Sequence, residues 1–284
     1  MIYFTVPKWV KQHDIDFTNL GNRQYLVKKI KRDLERYKVS NPKVSIVIPA
    51  YNEEKTLLRT LSSFSKMTSR YHAELIVVNN NSTDRTQEII DACGVKSVFE
   101  TQQGISYARQ AGLEAARGTY ILNADSDSIY PPKWIDAMTE ALEYENIVCV
   151  YGRYSFLPSE GVSRIGLAFH ETAASFLIHL KRINREFVNV MGFNFGFRKK
   201  DGLEVGGFEH QLDRANTERS EDGWMAYLLH HLGKIKLVSH KNARVWTSDR
   251  RLIEAGSLSK AFWIRFKKHF SRLWNYIKPF EHGF

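Results

Sequence analysis

Cysteine is scarce: Cys93 and Cys149 are the only two in 284 residues. Two cysteines build no disulfide framework, and neither stands in a metal-ligand spacing. A disulfide-stapled secreted scaffold is therefore excluded, and a reducing compartment fits best. The first nine residues lack the basic start, long apolar stretch and small-residue cleavage site of a secretion signal. The most apolar stretch, 162–183, is interrupted by His170, Glu171, His179 and Lys181, so a buried helix is expected there and not a membrane span. No Gly-x-Gly-x-x-Gly follows the first strand-like run, which argues against a nicotinamide dehydrogenase. Internal repeats and low-complexity segments are absent as well.

What is there is a globular composition. The 43% hydrophobic content over this length supports one large core or two closely joined halves. With 25% charged and 13% aromatic residues the chain is not a disordered one. The net charge of +10 is unevenly placed. Residues 21–43 hold eight Lys/Arg against two Asp/Glu, and residues 251–284 hold seven against two, leaving 26 basic and 27 acidic residues elsewhere. A neutral body disfavours nucleic acid as a partner, because such enzymes carry their positive charge around the cleft.

Hydrophobic periodicity predicts a basic helix over 22–38, ended by Asn41-Pro42. Strands and helices then alternate. Strands are expected at 44–48, 75–78, 95–99, 120–122 and 147–150. Helices are expected at 53–66, from Ser82 or Thr83 to Cys93, at 105–117 and from Pro131 to about 144. This alternation points to a parallel sheet sandwiched by helices, with ligands at the carboxyl ends of its strands. Beyond 151 it stops. Helices are expected at 162–183 and 219–232, and short strands at 235–239 and 244–247. An amphipathic basic helix is expected over 257–278, with Leu258, Phe262, Phe266, Phe270, Leu273 and Ile277 on one face.

The residues able to do chemistry fall at the predicted strand ends. Pro49 closes the first strand, Tyr51 can stack on a planar base, and Glu53 can accept hydrogen bonds from a ligand or cap the next helix. Asn79 to Asp84 offer short polar groups to a base edge, or form an Asx-rich turn. Arg109 can hold a phosphate or the Asp125 carboxylate, with a surface salt bridge as the plain alternative. Asp125-Ser126-Asp127 carries most information. Two carboxylates one residue apart, past a buried strand, repel each other unless a cation joins them, and carboxylate oxygens suit Mg²⁺ or Mn²⁺. Glu221-Asp222 opens a helix, where acids suit the dipole and Asp222 can serve as a general base.

In order, Val44-Ser-Ile-Val-Ile-Pro-Ala-Tyr-Asn-Glu-Glu54, Val77-Val-Asn-Asn-Asn-Ser-Thr-Asp84, Gly104-x-x-x-Ala-Arg-Gln110, Asp125-Ser126-Asp127, Gly206-Gly-Phe208 and Glu221-Asp222 closely resemble the family 2 glycosyltransferases over roughly 43–250. The resemblance implies an α/β fold of the GT-A type, with a single mixed sheet flanked by helices and basic amphipathic helices at both ends. It implies an N-terminal extension (1–42), a glycosyltransferase domain (43–250) with a nucleotide-sugar half (43–150) and an acceptor half (151–250), and a C-terminal helix (251–284). The implied activity is inverting transfer of a sugar from a nucleotide-diphosphate donor to a hydroxyl of a glycan or lipid-linked acceptor, in cell-surface polysaccharide or glycolipid synthesis. Tyr51 and Glu53 would line the nucleotide, Asp125 the ribose or sugar, Asp127 the metal, and Asp222, beside Glu221, would be the base. Arg250 or Arg251, in a family-like segment after Thr247, would neutralise diphosphate charge. Asn79 stands where the family usually has an acid. Its side-chain oxygen can accept from a uracil N–H, so UDP is the expected nucleotide, with GDP or another as the alternative.

Other readings are a non-catalytic nucleotide-sugar binder or a nucleotidyltransferase, although the chain has no phosphate loop of the latter kind. The terminal helices either pack on the body or lie on an anionic membrane surface. The expected location is the cytoplasm, peripheral to the membrane on its cytoplasmic face in the second case.

Overall fold

The computed structural model describes residues 2–13, 20–208, 220–254, 258–260, 263–264 and 267. Two helices lead, α1 (Lys8–Lys11) and α2 (Leu20–Leu34). Next come β1 (Val44–Ala50), α3 (Leu57–Ser65), β2 (Ala73–Asn79), α4 (Thr86–Cys93), β3 (Lys96–Phe99), α5 (Ile105–Ala115) and β4 (Tyr120–Asn123). After these follow β5 (Ser128–Ile129), α6 (Trp134–Leu142), β6 (Ile147–Gly152), β7 (Tyr154–Leu157), α7 (Arg164–Lys181) and β8 (Phe195–Arg198). The described chain continues through α8 (Lys199–Glu204), α9 (Glu221–His230), β9 (Lys234–Val238), β10 (Val245–Ser248) and α10 (Arg250–Ile253).

Seven strands form one mixed sheet in the order β3-β2-β1-β4-β8-β6-β9. β1 pairs in parallel with β2 and β4, whereas β8 runs antiparallel to both β4 and β6. β1 and β2 are buried at every position, which is why they read as near-continuous apolar runs. Side chains alternate across them: Ile46 and Ile48 join a core with α2, α3, α4 and α6, while Val47 joins the core of α5 and α9 on the other face. A second sheet, β5-β10-β7, sits beside the first.

The structure corrects several expectations. Pro49 does not end β1, which runs on to Ala50. Along β1, Val47 faces β4 and Ala50 faces β2, as their carbonyls accept from Ala124 and Asn80. Pro49 therefore turns its missing N–H to the side that β4 has already left. The helix expected from Ser82 or Thr83 starts at Thr86, because Asp84 Oδ1 accepts the Thr86 N–H at 2.9 Å and holds the preceding residues in a turn. At its far end Gly94 closes it at φ 64°, just after the expected last residue Cys93. The strands β5, β7 and β8 were not anticipated; β8 lies within the aromatic, glycine-rich stretch 191–198.

Of the two readings of the leading basic helix, α2 follows packing on the body: its stripe lies on α3 and α4, with Ile30 and Leu34 buried, so its apolar face belongs to the core. The stretch expected as a buried helix is α7, and much of it is exposed, including Phe169 and Phe176. The stripe expected over 257–278 falls largely outside the described residues. Among the described residues no helix is long and apolar enough to cross a membrane.

Candidate active site

The chain goes from β1 outward to β2 and β3, then returns to place β4 on the other side of β1. Open α/β sheets bind ligands at such a reversal, beyond the carboxyl ends of the strands. A cleft of about 410 Å³ lies there, lined among others by Pro49, Ala50, Tyr51, Glu53, Asn80, Gly104, Asp125, Asp127 and Arg250. The first turn of α5 contributes to its wall, the helix end that favours negative charge.

Each acid is held by its own support. The Asp125 N–H donates to Tyr130 Oη at 2.8 Å, and that hydroxyl donates to the Phe193 carbonyl at 2.9 Å. Burial, reinforced by the Asp125 charge, pushes the Tyr130 phenol well above its ordinary pKa, so it stays a donor. Thr60, buried in α3, donates from Oγ1 to the carbonyls of Ser126 and Ser128, both at 2.8 Å, and so pins the turn that carries Asp127. Arg250 Nη2 donates to Glu53 Oε1 at 2.9 Å and lies 3.7 Å from Asp127 Oδ2. The carbon skeleton of Glu53 is fixed in turn by Thr56, whose hydroxyl donates to Oε2.

Arg109 ties this cleft to the second acidic pair. Its side chain is 1% exposed, with Nη2 2.9 Å from Asp125 Oδ1, Nη1 3.3 Å from Asn123 Oδ1 and Nε 3.7 Å from Glu221 Oε1. Gly112 makes this reach feasible. A Cβ there would lie 2.2 Å from Val47 Cγ1, so its absence lets α5 press onto β1 one turn beyond Arg109. Asp222 follows Glu221 in the first turn of α9 and accepts from Gly192 N–H at 2.5 Å and from Gly223 N–H at 2.8 Å.

The family model for glycosyl transferase family 2 matches residues 45–202, more than half of the chain. The chain belongs to that family. It is 34% identical over 126 residues to an uncharacterized glycosyltransferase of Haemophilus influenzae, covering 42% of this chain and 50% of that protein. It is 30% identical over 123 residues to the Escherichia coli UDP-Glc:alpha-D-GlcNAc-diphosphoundecaprenol beta-1,3-glucosyltransferase WfgD, covering 42% and 48%. The chain spans no more than half the length of such curated relatives. Among solved structures, the mannosyltransferase PcManGT of Pyrobaculum calidifontis, in complex with GDP-Man and Mn²⁺, superposes with a TM-score of 0.56. That match covers 91% of this chain and 75% of that one at 17% identity, and so speaks for the shared fold.

For this family member, the residues singled out by sequence divide into three groups. Pro49, Tyr51, Glu53, Asp125, Asp127 and Arg250 gather at the cleft. Arg109, Glu221 and Asp222 are buried behind it; Arg109 holds a carboxylate and is no surface salt bridge. Asn79 does not present its amide to the cleft: Oδ1 accepts from Ser82 N–H at 3.0 Å, and Nδ2 donates to Gln87 at 2.8 Å. The neighbouring Asn80 lines the cleft, with Oδ1 accepting from Gly104 N–H at 2.8 Å. The Arg251 side chain is outside the described part.

Sequence reasoning missed Thr60, Tyr130 and Gly192. Their signal lies only in long-range contacts, and no local pattern marks them. As to a cation, no group of three His, Cys, Asp or Glu is gathered for a metal among the described residues. Asp125 and Asp127, 23% and 16% exposed, are chemically suited to be part of a hard-cation set that would need further oxygens from outside the protein.

Proposed function

We propose that this protein moves a sugar from a nucleotide-diphosphate donor to a hydroxyl of a glycan or lipid-linked acceptor, with inversion at the anomeric carbon. The observation that carries the reading is the Arg109 bridge, which joins the cleft edged by Asp125 and Asp127 to the carboxylate pair Glu221-Asp222.

Tyr51, 45% exposed at the cleft, offers a face for stacking the base of UDP or GDP, a contact that any planar base can make. Arg250, held by Glu53, faces the diphosphate and balances its charge. Asp125 and Asp127 would hold a divalent cation, Mg²⁺ or Mn²⁺, whose chemistry is to neutralise the departing diphosphate. Asp222 takes the proton from the acceptor hydroxyl as the new oxygen–carbon bond forms and the carbon–diphosphate bond breaks, its electron pair leaving with the nucleotide. Two backbone N–H groups fix the carboxylate for that task. A base so placed contributes roughly 10²–10⁴-fold. Polysaccharide or glycolipid synthesis, on the cytoplasmic side of a membrane, is the setting that suits such a donor and acceptor.

A melting-temperature screen of nucleotide sugars with Mn²⁺ identifies the donor, and Asp222→Asn tests the mechanism. The variant is expected to keep donor affinity and lose most transfer. Near-normal turnover in Asp222→Asn, or no nucleotide sugar raising the melting temperature, sinks the reading.

A further inference from the structure

Helix α7 is turned against its own composition. Its acid faces inward: Glu171 is 7% exposed, accepts from the Phe156 N–H at 2.7 Å and pairs with Arg164 at 2.8 Å. Four large apolar groups face outward. Ile165, Phe169 and Phe176, with Ile183 just past the helix end, are 55, 67, 66 and 63% exposed. Steps of four, seven and seven residues put all four within about 40° on one side, along a line of about 27 Å. Thr172 and His179 occupy the intervening turns of the same line, so it carries no acid.

The carboxyl end of the line is basic, and basic residues follow the segment that packs at its start. Lys181, Arg182 and Arg185 cluster at one end, against Glu186, which pairs with Arg182 at 2.9 Å. At the other, Leu258 lies against Gly166 and leads to exposed Lys260, Trp263, Ile264 and Lys267. An exposed apolar stripe of this size marks an interaction surface. The side chains of one exposed helix face stand out as a ridge and not as a groove. A soft apolar phase rimmed by negative charge complements both the ridge and its ends.

We propose that the outer face of α7 docks the protein on an anionic lipid bilayer. The contact moves the membrane side from α2, whose apolar stripe is in the core, to this ridge. Leu167, on the inner side of α7, packs with Leu252, two residues beyond Arg250, so the docked helix has its back to the wall of the donor cleft. Only the purpose of docking, access to a lipid-linked acceptor, rests on the transfer reading; the contact itself stands on the stripe.

The test uses the full chain with phosphatidylcholine vesicles, alone or mixed with phosphatidylglycerol. Phe169→Ser/Phe176→Ser is expected to weaken sedimentation with anionic vesicles at least about tenfold, from the apolar area withdrawn, at unchanged melting temperature and donor-nucleotide affinity. Cys93 and Cys149 are buried, so Phe176→Cys takes an environment-sensitive fluorophore selectively, and its emission is expected to shift to the blue on anionic vesicles. Equal vesicle binding by wild type and the double variant overturns the proposal. So does absence of vesicle binding, an unshifted fluorophore, or a wild-type dimer in sedimentation velocity that the double variant loses. Vesicle binding that follows the stripe in a protein with no donor affinity leaves the docking surface standing and sinks the transfer reading alone.

Discussion

The backbone N–H of Gly192 donates to Asp222 Oδ2 at 2.5 Å, and the same glycine lies against the guanidinium of Arg109. A Cβ on Gly192 would come within 2.4 Å of Arg109 Nη2 and 3.3 Å of Asp222 Oδ2. The bare backbone at this position is what lets a buried cation and the proposed base share one wall.

Gly192→Ala tests that sharing. The added methyl must displace Arg109, Asp222 or the loop, which in a packed site costs about 1–3 kcal/mol. We expect kcat to fall at least about tenfold, with a lower urea midpoint. Wild-type kcat at an unchanged midpoint would show that the contact is immaterial. Because Gly192 N–H is also an Asp222 partner, transfer should suffer more than donor binding.

Arg109 faces Asp125 on one side and Glu221 on the other, and both Arg109 and Glu221 have side chains 1% exposed. Removing the guanidinium takes a buried counter-charge away from Glu221, and breaking a buried pair costs up to about 3–5 kcal/mol. Arg109→Met is expected to lower the urea midpoint. Adding Glu221→Gln should restore part of the loss, since the carboxylate that faced the guanidinium is then neutral. If the double variant is no more stable than Arg109→Met alone, the coupling between these two residues is absent.

The regions legible in the sequence are those where one physical cause dominates. β1, β2 and β4 are covered on both faces, so their apolar runs were unmistakable, and their ends carried Asp125 and Glu53 to the cleft. Arg109 stood out from its place on the helix after Gly104 and from the family-like Gly104-x-x-x-Ala-Arg-Gln110, with the Asp125 carboxylate as one of its alternatives. What was not legible depends on pairing between distant segments. β8 is read as a glycine-rich aromatic stretch because its partners, β4 and β6, lie far away in sequence. Asn79 and Asn80 are alike in composition, and only the contacts with Gln87 and Gly104 decide which of the two faces the cleft. The reversed orientation of α7 escaped because periodicity finds an apolar face without saying whether that face meets the core.

Asp127 and Arg250 make opposite predictions for the cleft. Asp127→Ala removes a carboxylate proposed to hold a cation, so donor binding should lose most of its dependence on Mn²⁺. Arg250→Ala removes a cation proposed to face the diphosphate, so donor binding should weaken at every Mn²⁺ concentration and respond less to salt. Calorimetric titration of donor at several Mn²⁺ concentrations separates the two. Identical metal dependence in wild type and Asp127→Ala counts against its role.

His13 sets an acid limit on stability. Its ring is buried with Nδ1 2.9 Å from Ser62 Oγ, and burial, helped by the Lys66 ammonium, pushes its pKa down from 6.5 to about 4. The folded protein therefore resists a proton that the unfolded chain accepts near 6.5. Between those values the unfolded state binds more protons, so this contribution is complete above about pH 6.5 and is lost as pH falls toward 4. The difference corresponds to about 3 kcal/mol. His13→Gln should flatten that part of the stability profile while leaving the carboxylate titrations in place. Urea midpoints for both proteins at pH 7.5, 6, 5 and 4.5 provide the comparison, and parallel curves would mean that His13 titrates normally in the folded state.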